Sequence, residues 1–80
     1  MTIHTITLHP IAAPVAGGFR AVVRYSRHDG TRCRMAGTKR GDVFLTEVYA
    51  AAAARAAAMV VAAECNAAHA HCRYVVAPRG

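Results

Sequence analysis

The segment from Phe19 to Gly37 alternates between apolar and basic residues, and this pattern constrains the fold more than any other part of the chain. Its first half has apolar residues at positions 19, 21, 23 and 25 and arginine at 20 and 24, and its second half has arginine at 32 and 34. Successive side chains of a strand point to opposite faces of a sheet. The period of two therefore predicts a β-hairpin with one apolar face and one face that carries four arginines.

The length of the turn in this hairpin decides which residues share a face. Asp29-Gly30 is typical of a two-residue turn, which would pair Tyr25 with Arg34 and mix apolar and charged residues on both faces. A three-residue loop over residues 28–30, with the glycine in the left-handed conformation, would instead pair Tyr25 with Cys33. Because it separates the arginines from the apolar residues, we expect the three-residue loop.

The segments on either side of the hairpin predict a strand, a connection and a polar loop. Thr2–His9 is rich in threonine and isoleucine, which favour strands. Pro10–Gly18 contains two prolines and predicts a long connection, because proline interrupts strand pairing. Gly37–Asp42 predicts a polar loop.

The second half of the chain predicts one long helix and a last strand. Thr46 is the expected N-cap and Glu47 lies in the first turn, where an acidic side chain is favourable. From Val48 to about Ala67 the chain is mostly alanine, the strongest helix former. Cys72–Ala77 then predicts a short strand.

The two sides of the predicted helix differ in side-chain size. Helical periodicity gathers the larger apolar residues on one side, which we expect to pack on the sheet. That side consists of Val48, Tyr49, Ala52, Ala56, Met59, Val60 and Ala63. The other side is predicted to face solvent, with interface use as an alternative, and consists of Ala50, Ala54, Ala57, Ala58, Val61 and Cys65.

The predicted elements define an α+β fold in the order β-β-β-α-β. We expect an antiparallel sheet of three to four strands with one long alanine-rich helix packed on one face. Eighty residues suffice for one domain, spanning residues 1–80, which we expect to be a monomer.

The charge balance predicts an acidic or phosphate-bearing partner. Ten lysines and arginines stand against four acidic residues, for a net charge of +6. The expected partner-binding residues are Arg20, Arg24, Arg27, Arg32, Arg34, Lys39 and Arg40. The alternative is that an uncovered sheet face is basic only for solubility. Since Phe19 and Tyr25 are expected to point to the core, recognition of single strands by base stacking is disfavoured.

Composition also bears on the compartment. The chain shows no signal peptide, and we expect no membrane contact because no apolar run approaches the ~18 residues of a spanning segment. The three cysteines, Cys33, Cys65 and Cys72, cannot all pair within one chain. An odd number without an export signal favours reduced thiols and a cytoplasmic location.

The sequence contains few residues arranged for chemistry. Cys65, His69, His71 and Cys72 could in principle bind zinc, but the usual paired short spacings are missing, so we expect no metal. Ser26 is the only serine and lacks an acid placed to orient a histidine. We therefore expect no cofactor and no enzymatic activity.

The layout resembles two groups of small proteins. The strand Thr2–His9, the strand that begins at Gly18-Phe19, the Asp29-Gly30 turn and the helix around Ala50–Ala58 resemble small phage-encoded anti-CRISPR proteins in size and order. A three-stranded sheet with a helix is also similar to the arm-binding domain of phage integrases. In that resemblance, the arginines at positions 20, 24, 32 and 34 would read the major groove.

The first resemblance implies a non-catalytic inhibitor in a bacterial host cytosol. It would bind a type I CRISPR surveillance complex through the basic sheet face and block recognition of target DNA. Its partner would be an acidic protein surface or a nucleoprotein complex, because a net charge of +6 excludes DNA mimicry. The alternative is a nucleic-acid-binding module that uses the same arginines.

Overall fold

The computed structural model describes residues 4–29, 32–68 and 72–78, and confirms the predicted α+β class. One helix packs on one face of a four-stranded sheet. The elements are β1 (His4–Val15), β2 (Gly18–Asp29), β3 (Arg32–Phe44), α1 (Glu47–Ala68) and β4 (Cys72–Val76).

The sheet is mixed, with the strand order β3-β2-β1-β4. The antiparallel pairs β1–β2 and β2–β3 agree with the prediction. β4 runs parallel to β1, because α1 returns the chain along the sheet before β4 begins. Their pairing joins residues 4–8 to residues 72–76 and is extended by a hydrogen bond from the Ala77 N–H to the Leu8 carbonyl at 2.9 Å.

The predicted connection over Pro10–Gly18 is wrong, because β1 continues through both prolines to Val15. Pro10 pairs with Val23, and Pro14 lies opposite Phe19. Beyond Leu8, β1 no longer has β4 as a neighbour, so its backbone is paired on one side only. A residue without an N–H group is tolerated on such an open edge.

The turn between β1 and β2 depends on glycine. Residues 16–17 form the turn, and Gly17 has a φ of 86°. Gly18 has a φ of 148°, and a Cβ atom there would collide with the backbone carbonyl of Phe44 at the end of β3. Gly18 therefore permits close packing of the β2 start against β3.

The predicted register of the β2–β3 hairpin is also wrong. Asp29 pairs with Arg32, so residues 30–31, which lie outside the described residues, join the strands. Tyr25 pairs with Gly37 rather than with Cys33 or Arg34. The pairing next to the turn therefore differs from both of the turns considered, and register shifts between Tyr25 and Ser26, and again near the start of β2, add to the difference. β3 consequently includes the segment 37–42 that was expected to be a loop.

The helix begins as predicted. The Tyr49 N–H donates to the Thr46 Oγ1 at 3.3 Å, which satisfies a backbone donor that has no partner within the helix. The Ala50 N–H donates to the Thr46 carbonyl at 3.2 Å, and Glu47 is the first helical residue. The N-cap assignment is therefore confirmed.

The predicted packing side of α1 is wrong. The side buried on the sheet is the small one, with Ala50, Ala54, Ala58 and Ala62. The larger side chains face away from the sheet: Val48 is 74% exposed, Tyr49 68%, Met59 58% and Val60 55%. Alanine on the inner side lets the helix axis approach the sheet, whose own side chains supply the bulk of the core.

The core lies between the inner side of α1 and the three strands nearest it. Its buried centre is Leu8, Val23, Ala58 and Ala62, and Leu8 is fully buried. Tyr25, Ala57, Val61, Tyr74 and Val76 pack around this centre. The β2 residues that pack with α1, Val23 and Tyr25, have odd numbers, so odd positions of β2 face the helix. Even positions, including the buried Val22, form the opposite face, which we call the open face of the sheet.

Two polar side chains tie α1 to the last strand. The Asn66 side chain donates to the Tyr74 carbonyl at 2.9 Å and accepts from the Tyr74 N–H at 2.8 Å. The Arg55 guanidinium donates to the Ala77 carbonyl at 3.3 Å. The helix is thus fastened on its β4 side, whereas no hydrogen bond of this kind is seen between the described parts of α1 and β3.

By length and composition alone, α1 is apolar enough to cross a membrane, contrary to the expectation from the sequence. Helices that pack in a protein core pass the same test. Here the inner side of α1 is buried against the sheet.

Candidate functional site

The open face of the sheet carries three of the seven predicted binding residues. Arg20 and Arg24 are at even positions of β2, and Arg40 pairs with Val22, so all three share this face. Arg24 and Arg40 are exposed, whereas Arg20 is partly buried and donates from its Nη1 to the Gly41 carbonyl at 2.9 Å. Arg20 is therefore held along β3, and the other two are accessible to a partner.

The remaining four predicted residues do not share the register of the open face. Arg27 pairs with Ile6, and Lys39 pairs with Val23, so both share the face on which the helix packs. The backbone register pairs Arg34 with Arg27 and Arg32 with Asp29, which are odd positions of β2. The expectation that Arg20, Arg24, Arg32 and Arg34 share one face is therefore wrong, because it depended on a register that the sheet does not have.

A further basic residue of the open face was not among the predicted binding residues. Arg73 is exposed on β4 and pairs with Thr5, which is opposite His28 on β2. Alternation within the predicted last strand could have shown which residues share a face with Arg73. It could not have shown that this strand pairs with β1. On the same face the His9 Nε2 and the Ser26 Oγ are 2.8 Å apart, and Ser26 is buried.

A cleft lies between α1 and β3, and we refer to it as the α1–β3 cleft. It contains two cavities that follow one another along the helix. The first measures about 150 Å³ and is lined by Ala21, Val23, Lys39, Gly41, Asp42, Phe44, Ala53, Ala54 and Ala57. The second measures about 320 Å³ and is lined by Ile6, Tyr25, Gly37, Thr38, Val61, Cys65 and Tyr74.

Small residues on both walls create this cleft. The helix contributes alanine at positions 53, 54 and 57 to its wall. β3 contributes Gly37 and Gly41, and a Cβ atom added at Gly37 would meet no atom within 4 Å. Gly37 has no positive φ, so backbone strain does not require glycine there. The missing side chain therefore leaves open space above the sheet.

The second cavity has a polar end formed by Tyr25, Cys65 and Tyr74. Burial raises the pKa of the Tyr25 hydroxyl above its ordinary value of 10.0, and the nearby Cys65 thiol raises it further. Burial also raises the pKa of Tyr74, and Cys65, which hydrogen-bonds to the Tyr74 side chain, adds to the increase. Both phenols are therefore neutral in the physiological range.

The metal-ligand set considered from the sequence is only partly described. Cys65 and Cys72 are partly buried free cysteines, whereas His69 and His71 lie outside the described residues. Within the described part of the chain, no group of three or more His, Cys, Asp or Glu side chains is placed to hold a metal ion.

Comparison with known proteins gives one match. A family model described as "Outer membrane lipoprotein carrier protein LolA-like" matches residues 2–75 of the chain. No curated protein and no solved structure matches it. The match spans all of the described secondary structure except the last residue of β4.

Proposed function

Since the chain belongs to the LolA-like family of outer membrane lipoprotein carrier proteins, we propose that it binds the hydrocarbon chain of a lipid-modified partner in the α1–β3 cleft. The observation that carries this proposal is the row of two cavities between the alanine wall of α1 and the glycine positions of β3. Binding would be non-catalytic and would shield the hydrocarbon from water.

The size and lining of the cavities support a hydrocarbon ligand. An apolar cavity of about 150 Å³ is large enough for a benzene ring, and ligand sites begin at about 300 Å³. The two cavities of the cleft have these two volumes, and the second has an uncharged lining, whereas Lys39 and Asp42 contribute to the lining of the first. Each methylene group moved from water to such a site contributes roughly 0.8 kcal/mol, so a long chain gains more than any single polar contact.

The position of the helix supports entry from the β3 side. Asn66 and Arg55 fasten α1 to Tyr74 and Ala77 on the opposite side. β3 is an edge strand, and its residues 37–43 are exposed. A ligand can therefore enter between α1 and β3 without breaking the described hydrogen bonds between α1 and the end of the chain.

The fluorescence of N-phenyl-1-naphthylamine, an apolar probe, tests the proposal. We expect the wild-type protein to bind it and Gly37→Val to weaken binding by about tenfold, because valine fills the second cavity in a strand where it is tolerated. Ala57→Leu should fill the first cavity, and Ala56→Leu, on the exposed side of the same helix, is the matched control. Absence of probe binding to the wild type, or equal loss in the control, would contradict the proposal.

A second function is favoured by a different observation. Arg24, Arg40 and Arg73 are exposed on the open face of the sheet, with Arg20 beside them. Such a face suits an acidic protein surface or a phosphate backbone. The anti-CRISPR-like inhibitor and the nucleic-acid module both stay predictions that depend on this face. The cytosolic location, expected from the odd number of cysteines without an export signal, also stays a prediction.

Salt dependence distinguishes the two predictions for the open face. Four phosphate contacts would give a log–log slope of about −3.6 for duplex DNA, at about −0.9 per contact. We expect a nucleic-acid module to show this slope and to lose about half of it in the double variant Arg24→Ala, Arg40→Ala, which removes two of the four contacts. No binding at low salt would eliminate direct recognition of nucleic acid and leave a protein partner.

A further inference from the structure

We infer that the free edge of β3 at residues 37–40 is a docking site for an extended, acidic segment of a partner protein, which adds to the sheet as a further strand. The site lies beside the α1–β3 cleft and does not depend on the function proposed for that cleft. Two features carry the inference: the backbone groups that β3 directs away from β2, and the basic side chains of the same segment.

The direction of the backbone groups can be followed across the sheet. The Leu8 carbonyl accepts a hydrogen bond from the Ala77 N–H, so the backbone polar groups of Leu8 point away from β2. In an antiparallel pair, hydrogen-bonded and non-hydrogen-bonded positions alternate. The Leu8–Tyr25 position is therefore non-hydrogen-bonded, and the polar groups of Tyr25 point to β3, where its partner is Gly37.

Alternation along β3 then leaves two residues with outward backbone groups. Residues 22–25 of β2 pair regularly with residues 37–40 of β3, and the register shifts lie on either side of this stretch. Because Gly37 directs its polar groups to β2, Thr38 and Arg40 direct their N–H and C=O groups away from it. β3 is the outermost strand on this side, so none of the described strands pairs with these groups.

The open edge of β1 differs from the edge of β3 because it contains proline. Residues 10, 12 and 14 direct their backbone groups to the same side as Leu8, where β4 no longer pairs with β1. Two of these three positions are Pro10 and Pro14, which have no N–H group to offer. β3 has no proline among residues 32–44. Addition of a strand is therefore hindered at β1 and permitted at β3.

The charge of the β3 edge selects an acidic partner. Lys39 and Arg40 are exposed and lie on opposite faces of the sheet. A second copy of the chain at this edge would place its own lysine and arginine beside them, and like charges on neighbouring strands are unfavourable. The net charge of +6 adds to the repulsion between copies. Acidic side chains on the incoming strand form favourable pairs with the same residues.

Fluorescence polarisation with a labelled acidic peptide tests the inference. In this peptide glutamate alternates with valine, which favours an extended conformation. We expect the wild-type protein to bind it. A matched peptide with lysine in place of glutamate should bind about tenfold more weakly, because its charges are repelled by Lys39 and Arg40.

Proline at residue 38 separates backbone pairing from charge. Thr38→Pro removes one outward N–H group and no charge, and it should weaken binding of the acidic peptide about fivefold, the size of one net hydrogen bond. Pro10 and Pro14 show that this sheet accepts proline where the N–H would point to an open edge. Thr38→Ala keeps the N–H group and is the matched control, with binding expected to equal that of the wild type.

Three outcomes overturn the inference. The wild type does not bind the acidic peptide, or a folded Thr38→Pro variant binds it as well as Thr38→Ala does. In the third, sedimentation shows self-association of the wild type that Thr38→Pro abolishes, which would place a second copy at this edge. If Thr38→Pro fails to fold by circular dichroism, Arg40→Pro is compared with Arg40→Ala in the same way. Binding of the naphthylamine probe by the wild type tests the cleft separately, so either proposal can fail while the other stands.

Discussion

The side of α1 that touches the sheet consists mainly of alanine, whereas the side that faces away carries valine, tyrosine and methionine. A helix ordinarily buries its larger apolar residues, because burial energy increases with apolar area. Here the sheet supplies the large residues, and Leu8 and Val23 fill the space that alanine leaves. The comparison teaches that close approach of the backbone can decide which side of a helix is buried.

Enlarging one residue on each side tests this comparison most strongly. Ala58→Leu adds a bulky side chain at a fully buried position and should lower the free energy of unfolding by about 1–3 kcal/mol. Ala56→Leu makes the same change on the exposed side and should stay within about 0.5 kcal/mol. Urea denaturation followed by circular dichroism measures both. A larger cost at Ala56 would reverse the assignment of the two sides.

The sequence predicted the elements better than their contacts. The β-β-β-α-β order, the Thr46 cap and the long helix follow from local patterns, and local patterns are present in a single chain. The packing side of α1 depends on what the sheet offers, which periodicity does not contain. The strand through Pro10 and Pro14 likewise depends on where β4 stops pairing with β1.

The inner side of α1 is also held by hydrogen bonds, and Asn66→Ala separates their contribution from packing. The variant removes both hydrogen bonds to the Tyr74 backbone and should lower the free energy of unfolding by about 1–2 kcal/mol. This range has a lower upper limit than the range expected for Ala58→Leu. Glu64→Ala, on an exposed neighbouring residue, is the control. An effect of Asn66→Ala above that of Ala58→Leu would make the polar attachment the main one.

The candidate site was predicted only in part, because the pairing of β2 with β3 was not predicted correctly. Arg20 and Arg24 share a face because they are two positions of one strand separated by an even number. Arg32 and Arg34 lie between the bulge and the turn, so their pairing with Asp29 and Arg27 depends on the position of the turn, which the sequence predicted too early in the chain. The α1–β3 cleft was missed because it arises from absent side chains, at Gly37 and along the alanine wall, and absence has no periodic signature.

Tyr74 on β4, beside the inner side of α1, and Tyr49 on the outer side of α1 allow the pH dependence of stability to be compared. The Tyr74 pKa is raised in the folded protein above its ordinary value of 10.0, so folding favours the protonated phenol. The stabilisation is fully present below pH 10 and is lost as pH rises through the folded pKa, because the unfolded state ionises first. We expect urea denaturation between pH 8 and pH 11 to show a smaller alkaline loss in Tyr74→Phe than in Tyr49→Phe. Equal losses would contradict burial of the Tyr74 hydroxyl.

The smallest effect is expected on the outer side of α1, from Met59→Ser and Val60→Ser. Both residues are more than half exposed, so replacing them removes little buried apolar area and should change the free energy of unfolding by less than about 0.5 kcal/mol. The measurement is repeated at two protein concentrations, because a covered surface would respond to concentration and an uncovered one would not. A loss above 1 kcal/mol that grows with concentration would mean that this side is buried between copies of the chain, and the contrast between the two sides of α1 would then hold for the isolated chain alone.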